Sequence, residues 1–384
     1  MNTIDILEKL IAFPTLSRTP NLSLIDYLCD LFQTHGIETT RVPGESIDRV
    51  NLYARTGPSG VSGIMLSGHS DVVPVEGQDW SFDPFTMVDK DSRFYGRGTA
   101  DMKGFIACAT SAMIKASKTN LARPLEFAIS FDEEIGCVGV QHLLPVIASL
   151  NTKPAFCIVG EPTELNVATG HKGKTAMRAR CLGHEVHSAL SPYGFNAIHL
   201  ATDLIMALRH QQQLLIDTSS RDDDYEVAYT TIHAGIIRGG IALNIVPNET
   251  TIDFEIRNIK EDNIEKILGN IQQDIDTLIY EARKIYSGAD IELVRLTSYP
   301  GLDTHPESEI VTLAQSLLGT NRIIKVSFGT EAGLFSERLN IPTVVCGPGS
   351  MEQGHKPDEF ITHSQLERCD AMLNQVIKTL KKAW

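Results

Sequence analysis

Apolar positions change their period along the chain, and the changes divide it. Over residues 3–12 the side chains Ile4, Ile6, Leu7, Leu10 and Ile11 recur with helical spacing until Phe13-Pro14 stops them. A second amphipathic helix is predicted over 21–35, with Gly36 as its C-cap. Extended segments follow at 38–42 and 51–55, and then Ile64-Met65-Leu66, short and wholly apolar, as a central strand buried on both faces is written. A long apolar helix is predicted over 105–116, a strand over 124–131, a helix over 139–149 and a strand over 155–159. Strand, loop with an acidic residue, then helix is the repeating order of a mostly parallel, doubly wound α/β sheet. Such sheets gather their ligands at the carboxyl ends of the strands.

Near Lys172 the pattern changes. Residues 174–181 alternate in the β manner, 196–209 form an amphipathic helix, 228–237 and 242–257 read as strands, 262–285 as a long helix and 290–296 as a strand. That β-α-β-β-α-β order is the ferredoxin-like α+β layout. From about 308 the doubly wound pattern resumes, with a helix at 309–318, a strand at 323–327, a helix near Leu334, a strand at 342–346 and a final helix at 364–382. The expected organisation is a discontinuous domain made of 1–173 and 296–384, interrupted by an inserted domain of 174–295.

Composition narrows the class. The chain has 384 residues, 42% hydrophobic and 21% charged, with a formal net charge of -14, which argues against nucleic acid or an anionic membrane as a partner and leaves a small molecule as the expected one. Seven cysteines are scattered without a C-x-x-C pair, mostly in apolar runs, and read as reduced buried thiols of a cytoplasmic protein. The first residues lack a basic region followed by an apolar run, and no stretch approaches 18 apolar residues, so neither a signal peptide nor a membrane span is expected.

The chemistry sits at the predicted strand ends, in His69, Asp71, Asp101, Glu133, Glu134, Glu161 and the late His355. Any one acid after a strand is ordinarily a helix N-cap. The set is different, because several carboxylates at one buried edge repel one another unless cations lie among them. Two histidines with several carboxylates and no sulfur suit a pair of divalent ions, Zn2+ foremost, as in hydrolases where a carboxylate bridges two metals. Competing patterns fail on spelling. Gly96-Arg97-Gly98-Thr99-Ala100-Asp101 has aspartate where a dinucleotide fingerprint needs its third glycine, there is no G-x-S-x-G, and His184-Glu185-Val186-His187 is not H-E-x-x-H.

His69-Ser70-Asp71-Val72-Val73-Pro74, Gly96 through Gly104, Asp132-Glu133-Glu134, Gly160-Glu161-Pro162-Thr163 and Gly354-His355-Lys356-Pro357-Asp358-Glu359 together resemble the motifs of the di-zinc aminoacylase and carboxypeptidase family. Ala168 through Gly173, Gly329-Thr330-Glu331-Ala332 and Gly347-Pro348-Gly349-Ser350 are most similar to its acetylornithine deacetylase and succinyl-diaminopimelate desuccinylase branch. The resemblance implies that Asp101 bridges two zinc ions, for which Co2+ substitutes, that His69 and Glu161 complete one, and that Glu134 and His355 complete the other. It implies that Asp71 holds the second ring nitrogen of His69 and that Glu133 is the general base. As neighbours at a strand end, Glu133 and Glu134 would face different sides.

The same resemblance makes the inserted domain a lid and dimerisation domain. Gly183-His184-Glu185-Val186-His187-Ser188-Ala189 would be its lid motif, with His187 stabilising the oxyanion in the active site of a homodimer partner, unless both histidines are surface-loop residues. Arg257 and Asn244 would hold the substrate α-carboxylate. Glu331 would meet a distal ammonium, or else cap the helix through Leu334. The implied reaction is hydrolysis of an N-acyl amino acid, N2-acetyl-L-ornithine first, with a desuccinylase, a broad aminoacylase or a non-catalytic metal-binding protein of the same fold as alternatives.

Overall fold

Asn2 and Asp5 exchange hydrogen bonds, each side chain accepting from the other's backbone N–H, at 3.0 and 2.9 Å, and so start the helix Thr3–Ile11. In the computed structural model, which describes residues 2–382, this helix buries Ile6, Leu7, Leu10 and Ile11. It packs on the helix Lys103–Ser117, as does the last helix, His363–Leu380. Because neighbours cover Lys103–Ser117 on almost every side, its sequence is apolar all round rather than amphipathic. The helix Leu22–Thr34 ends at His35, and Gly36 follows with φ 68°, the left-handed conformation expected of a C-terminal glycine.

The chain forms two units. One runs to His171 and returns over Leu302–Val326 and from Thr330 onward; the other takes Lys172–Gly301 with Ser327–Gly329.

Among the described residues the first unit holds a nine-stranded sheet. Its main path runs Glu38–Pro43, Val50–Thr56, Leu125–Ser130, Ile64–His69, Phe156–Pro162, Thr343–Gly347, Val167–His171, Leu302–Asp303, and Ile323–Val326 pairs with Val167–His171 as well. Leu125–Ser130, Ile64–His69, Phe156–Pro162 and Thr343–Gly347 are mutually parallel, while antiparallel pairs flank them on both sides. The parallel strands are buried at every position, which is why they read as continuous apolar runs. Gly160 is required by this packing, since a Cβ there would lie 2.0 Å from the Phe105 ring. A three-stranded sheet of Val88–Lys90, Arg93–Tyr95 and Phe360–Thr362 is too short to announce itself by periodicity; it ties the segment after His355 to the segment before Gly96.

The second unit is a four-stranded antiparallel sheet in the order Thr231–Gly239, Glu249–Asn258, Gly173–Leu182, Asp290–Tyr299, the ferredoxin-like arrangement. Helices Ala197–Thr218 and Ile264–Arg283 cover one face, burying Leu200, Leu204, Ile271 and Ile275 against Ala179, Ile252 and Phe254. The other face carries exposed ion pairs, Arg178 with Asp253 and Arg180 with Glu249 and Glu292. One covered face and one wet face produce the alternation seen in the sequence. Two boundaries differ most from expectation. The first helix extends to Thr218, because Leu208 and Gln211 continue its buried face. The strand expected over 242–257 begins only at Glu249, since Pro247 has no N–H to give the ladder. No helix among the described residues is long and apolar enough to cross a membrane.

Candidate active site

All seven strand-end residues belong to the first unit. His69 closes the buried strand Ile64–His69, Asp101 follows the turn at 96–100, Glu133 and Glu134 follow Leu125–Ser130, Glu161 lies near the end of Phe156–Pro162, and His355 stands in the loop before Phe360.

Asp101 is the centre of the group. Its Oδ1 lies 3.1 Å from His69 Nε2 and its Oδ2 lies 3.2 Å from His355 Nε2, so one carboxylate stands between two imidazoles. Glu161 Oε1 approaches His69 Nε2 to 3.7 Å, and Glu134 Oε2 approaches His355 Nε2 to 2.9 Å. The structure therefore assembles His69, Asp101 and Glu161 on one side, and His355, Asp101 and Glu134 on the other. Ligand atoms of His69, Asp101 and Glu134 fall within 4.8 Å of one another, as do those of His69, Glu133 and Glu161.

Electrostatics make this a site for cations. Burial pushes the Glu133 carboxyl up to about 8, with Glu134 adding to the rise, and it pushes Glu134 up to about 7, with Asp101 adding. Burial also drives Glu161 well above the ordinary carboxylate range. Burial acts the same way on Asp101, but His355 and His69 outweigh it and hold that group below the usual range. His355 is pushed up to about 10 by Asp101 and Glu134. A cluster that must retain protons to be buried exchanges them for bound cations, which invert the local balance. Glu134 Oε1 is buried without a hydrogen-bond partner, leaving an acceptor free beside His355. The donors are nitrogen and oxygen only, so the residues fit divalent metal ions.

Asp71 meets His69 and does more. His69 Nδ1 lies 2.9 Å from the backbone oxygen of Asp71 and 3.6 Å from its carboxylate. That carboxylate also accepts the N–H of Glu133 at 3.0 Å, the N–H of Glu134 at 3.4 Å and the Ser17 hydroxyl at 2.8 Å. The two glutamates stand in the turn beyond the strand, so the grip of Asp71 on their amides, rather than strand alternation, sets their directions. Burying a carboxylate is tolerable when it collects this many donors.

Cys137, which no pattern in the sequence distinguishes, donates its thiol to Glu133 Oε1 at 3.3 Å. Its position four residues after a paired glutamate, inside a turn, is the only signal it offers. Arg97 and Glu359 also lie buried beside the centre, inside motifs whose metal ligands draw the eye first.

Glu331 is 1% exposed, with Oε2 accepting from the Ser67 hydroxyl at 3.2 Å, so its carboxylate is not open to the surface. Nor does its side chain cap the helix Ala332–Leu339.

The second unit holds the remaining candidates. His187 is exposed, its Nδ1 accepting from Ala189 N–H at 3.1 Å, and the N–H of its neighbour Ser188 donates to the Asn244 carbonyl at 2.9 Å, which puts His187 and Asn244 side by side. His184 stacks on Tyr286 with ring centroids 5.0 Å apart, a packing role. Arg257 ends its strand, bonded to Glu255 at 2.9 Å and the Tyr299 hydroxyl at 3.3 Å, with further N–H groups on its fork.

The chain is similar to known proteins of one family. The family described as "Peptidase family M20/M25/M40" matches residues 65–379. An acetylornithine deacetylase of Pasteurella multocida is 32% identical over 385 residues, covering 97% of this chain and 97% of that protein. Among solved structures, an M20 family metallo-carboxypeptidase from Sulfolobus solfataricus superposes with a TM-score of 0.79 at 17% identity, over 98% of this chain and 99% of that one. A dinuclear metal-binding M20 peptidase from Bacillus subtilis superposes with a TM-score of 0.65 at 15% identity, over 99% and 98%.

Proposed function

The chain belongs to peptidase family M20/M25/M40, and from that premise we propose that it removes the acetyl group of N2-acetyl-L-ornithine, releasing L-ornithine and acetate as a step of arginine biosynthesis. It is a metal-dependent hydrolase of N-acyl amino acids. One observation carries the reading: the Asp101 carboxylate set between His69 and His355, with Glu134 and Glu161 at the outer positions.

His69, Asp101 and Glu161 would hold one ion and His355, Asp101 and Glu134 a second, both Zn2+, with Co2+ as a substitute. Bound there, the ions supply Lewis acidity that polarises the acyl oxygen and acidifies an attacking water. Glu133 takes the proton of that water and delivers it to the departing amine nitrogen. Cys137 fixes one oxygen of Glu133 and Asp71 fixes its backbone, so the base keeps one orientation through both transfers. Arg257 with Asn244 would receive the substrate α-carboxylate, the guanidinium fork matching its two oxygens.

The second unit would serve as lid and dimerisation domain. Its edge strand Thr231–Gly239 is exposed over most of its length, with Ile236 and Ile237 on the surface, the kind of edge that pairs with a second copy. In that homodimer His187 would donate to the oxyanion at the neighbouring subunit's centre. Seven buried cysteines, none in a disulfide, support a cytoplasmic location.

The test is a panel of acetylated and succinylated amino acids with metal-loaded protein, reading free amine. The expected result is the highest kcat/KM on N2-acetyl-L-ornithine; a preference for succinyl-diaminopimelate or for acetylmethionine overturns the substrate assignment.

A further inference from the structure

The segment that follows His355 folds back onto the loop that carries Asp101. Glu359, 1% exposed, stands just before the strand Phe360–Thr362 and directs its carboxylate into that loop. Oε1 accepts the backbone N–H of Ala100 at 2.9 Å and of Asp101 at 3.1 Å. Oε2 accepts the N–H of Gly98 at 3.0 Å and Nη1 of Arg97 at 2.7 Å. Arg97, also 1% exposed, donates Nη2 to Gln78 Oε1 at 2.5 Å and lies over the Trp80 ring, 5.0 Å from its centroid. Gln78 in turn donates Nε2 to the backbone oxygen of His355 at 2.9 Å. The bonds close a circuit from the amide of Asp101 through Glu359, Arg97 and Gln78 to the backbone of His355.

This circuit spans both ends of one contact. Asp101 Oδ2 and His355 Nε2 stand 3.2 Å apart, yet the two residues come from distant parts of the chain, and His355 has φ 62°, a left-handed conformation that a non-glycine residue keeps only where its surroundings impose it. Arg97 and Glu359 are buried charges paired with each other, Glu359 also with backbone N–H groups and Arg97 with Gln78, and removing one partner leaves uncompensated charge next to the centre.

We propose that Gln78, Arg97 and Glu359 are positioning residues that set the spacing between His355 and the Asp101 carboxylate, and thereby the affinity of the His355 side of the centre for its metal ion. The inference rests on the two-ion reading given above. None of the three groups ligates metal or holds substrate; they act through the backbone of the two residues that do.

The test uses the full-length protein stripped of metal and titrated with Co2+, followed by calorimetry and by the visible absorption of the bound ion. Wild type is compared with Glu359→Gln, Arg97→Lys and Gln78→Ala, and His355→Ala marks the second equivalent. The expected result is two equivalents for wild type, and in each variant a first equivalent unchanged with the second weakened about 10-fold to 100-fold. Activity at limiting Co2+ then falls with occupancy and returns at excess Co2+, while KM stays put, a recovery that a merely misfolded variant does not show. Gln78 is only partly buried and its substitution leaves the Arg97–Glu359 pair in place, so Gln78→Ala decides the matter if Glu359→Gln does not fold. Wild-type constants for both equivalents in Gln78→Ala, and in whichever of the other variants fold, overturn the proposal while leaving the two-ion centre standing. Fewer than two equivalents in wild type overturns the two-ion reading and the proposal with it.

Discussion

Replacing Glu133 by glutamine separates two roles that the geometry leaves adjacent, since an oxygen of Glu133 lies within 4.8 Å of ligand atoms on both His69 and Glu161. If Glu133 is the base, glutamine cannot accept the proton, and the loss is that of general-base catalysis, about 10²-fold to 10⁴-fold in kcat. That corresponds to roughly 3 to 5 kcal/mol on the barrier, at about 1.4 kcal/mol per tenfold. The fold and the metal should survive, for reasons visible in the contacts. The bond from Asp71 goes to the backbone N–H of residue 133, which the substitution leaves alone, and the amide oxygen of glutamine accepts the Cys137 thiol as the carboxylate did. Burial already pushes this carboxyl up to about 8, so exchanging it for a neutral group of the same shape costs little in stability. The assay is steady-state release of amine from N2-acetyl-L-ornithine, with bound metal counted on the same sample. Turnover within tenfold of wild type refutes the base assignment, and loss of one metal equivalent reassigns Glu133 as a ligand.

Four further outcomes are expected. Arg257→Lys loses the paired donors that match a carboxylate, so KM should rise about 10-fold or more with kcat little changed; an unchanged KM removes Arg257 from substrate binding. Glu126, 1% exposed and bonded to Arg55 at 3.2 Å, is pushed by burial up to about 7 against an ordinary 4.5. Its folded pKa is raised, so the stability it contributes is complete below pH 4.5 and lost as pH rises through 7, an order of 2 to 3 kcal/mol that wild type should lose over that range in urea melts and Glu126→Gln should not; a pH-independent difference between the two refutes the shift. Gly160→Ala forces a Cβ to within 2.0 Å of the Phe105 ring and should destabilise by about 1 to 3 kcal/mol; the double change with Phe105→Ala should cost less than the sum of the singles, and simple additivity would show that the clash is relieved elsewhere. Chelation should abolish activity and lower Tm, and Zn2+ at about 1,000 times its Kd should restore roughly 4 kcal/mol of stability; a Tm indifferent to chelator refutes metal binding to the folded state.

Much of the architecture is legible because it is local. Continuous apolar runs mark Ile64–His69 and Phe156–Pro162 as strands covered on both faces, and strict alternation marks Gly173–Leu182 as a strand with one wet face. The acids at their ends stand out for the same reason, since each follows a recognisable element. What escapes the sequence is partner choice across long separations. Asp71 stands two residues from His69, and proximity suggests that its carboxylate serves that ring, but in space the carboxylate finds the amides of Glu133 and Glu134 nearer. Glu331 lies in a polar, glycine-bearing stretch, and nothing local announces that it is buried beside Ser67, a residue 264 positions away. Gln78 is an unremarkable loop residue until the backbone of His355 arrives beside it.

The interruption of the first unit by the second carries a consequence for synthesis. Ribosomes make His69, Asp101, Glu133, Glu134 and Glu161 before the ferredoxin-like insert, and the inner strand Thr343–Gly347 and His355 after it. Until those arrive, Phe156–Pro162 has an open flank and the acidic cluster lacks its last imidazole. The centre is therefore assembled from two separate stretches of chain, and its four early ligands need the later stretch before the last imidazole closes on them.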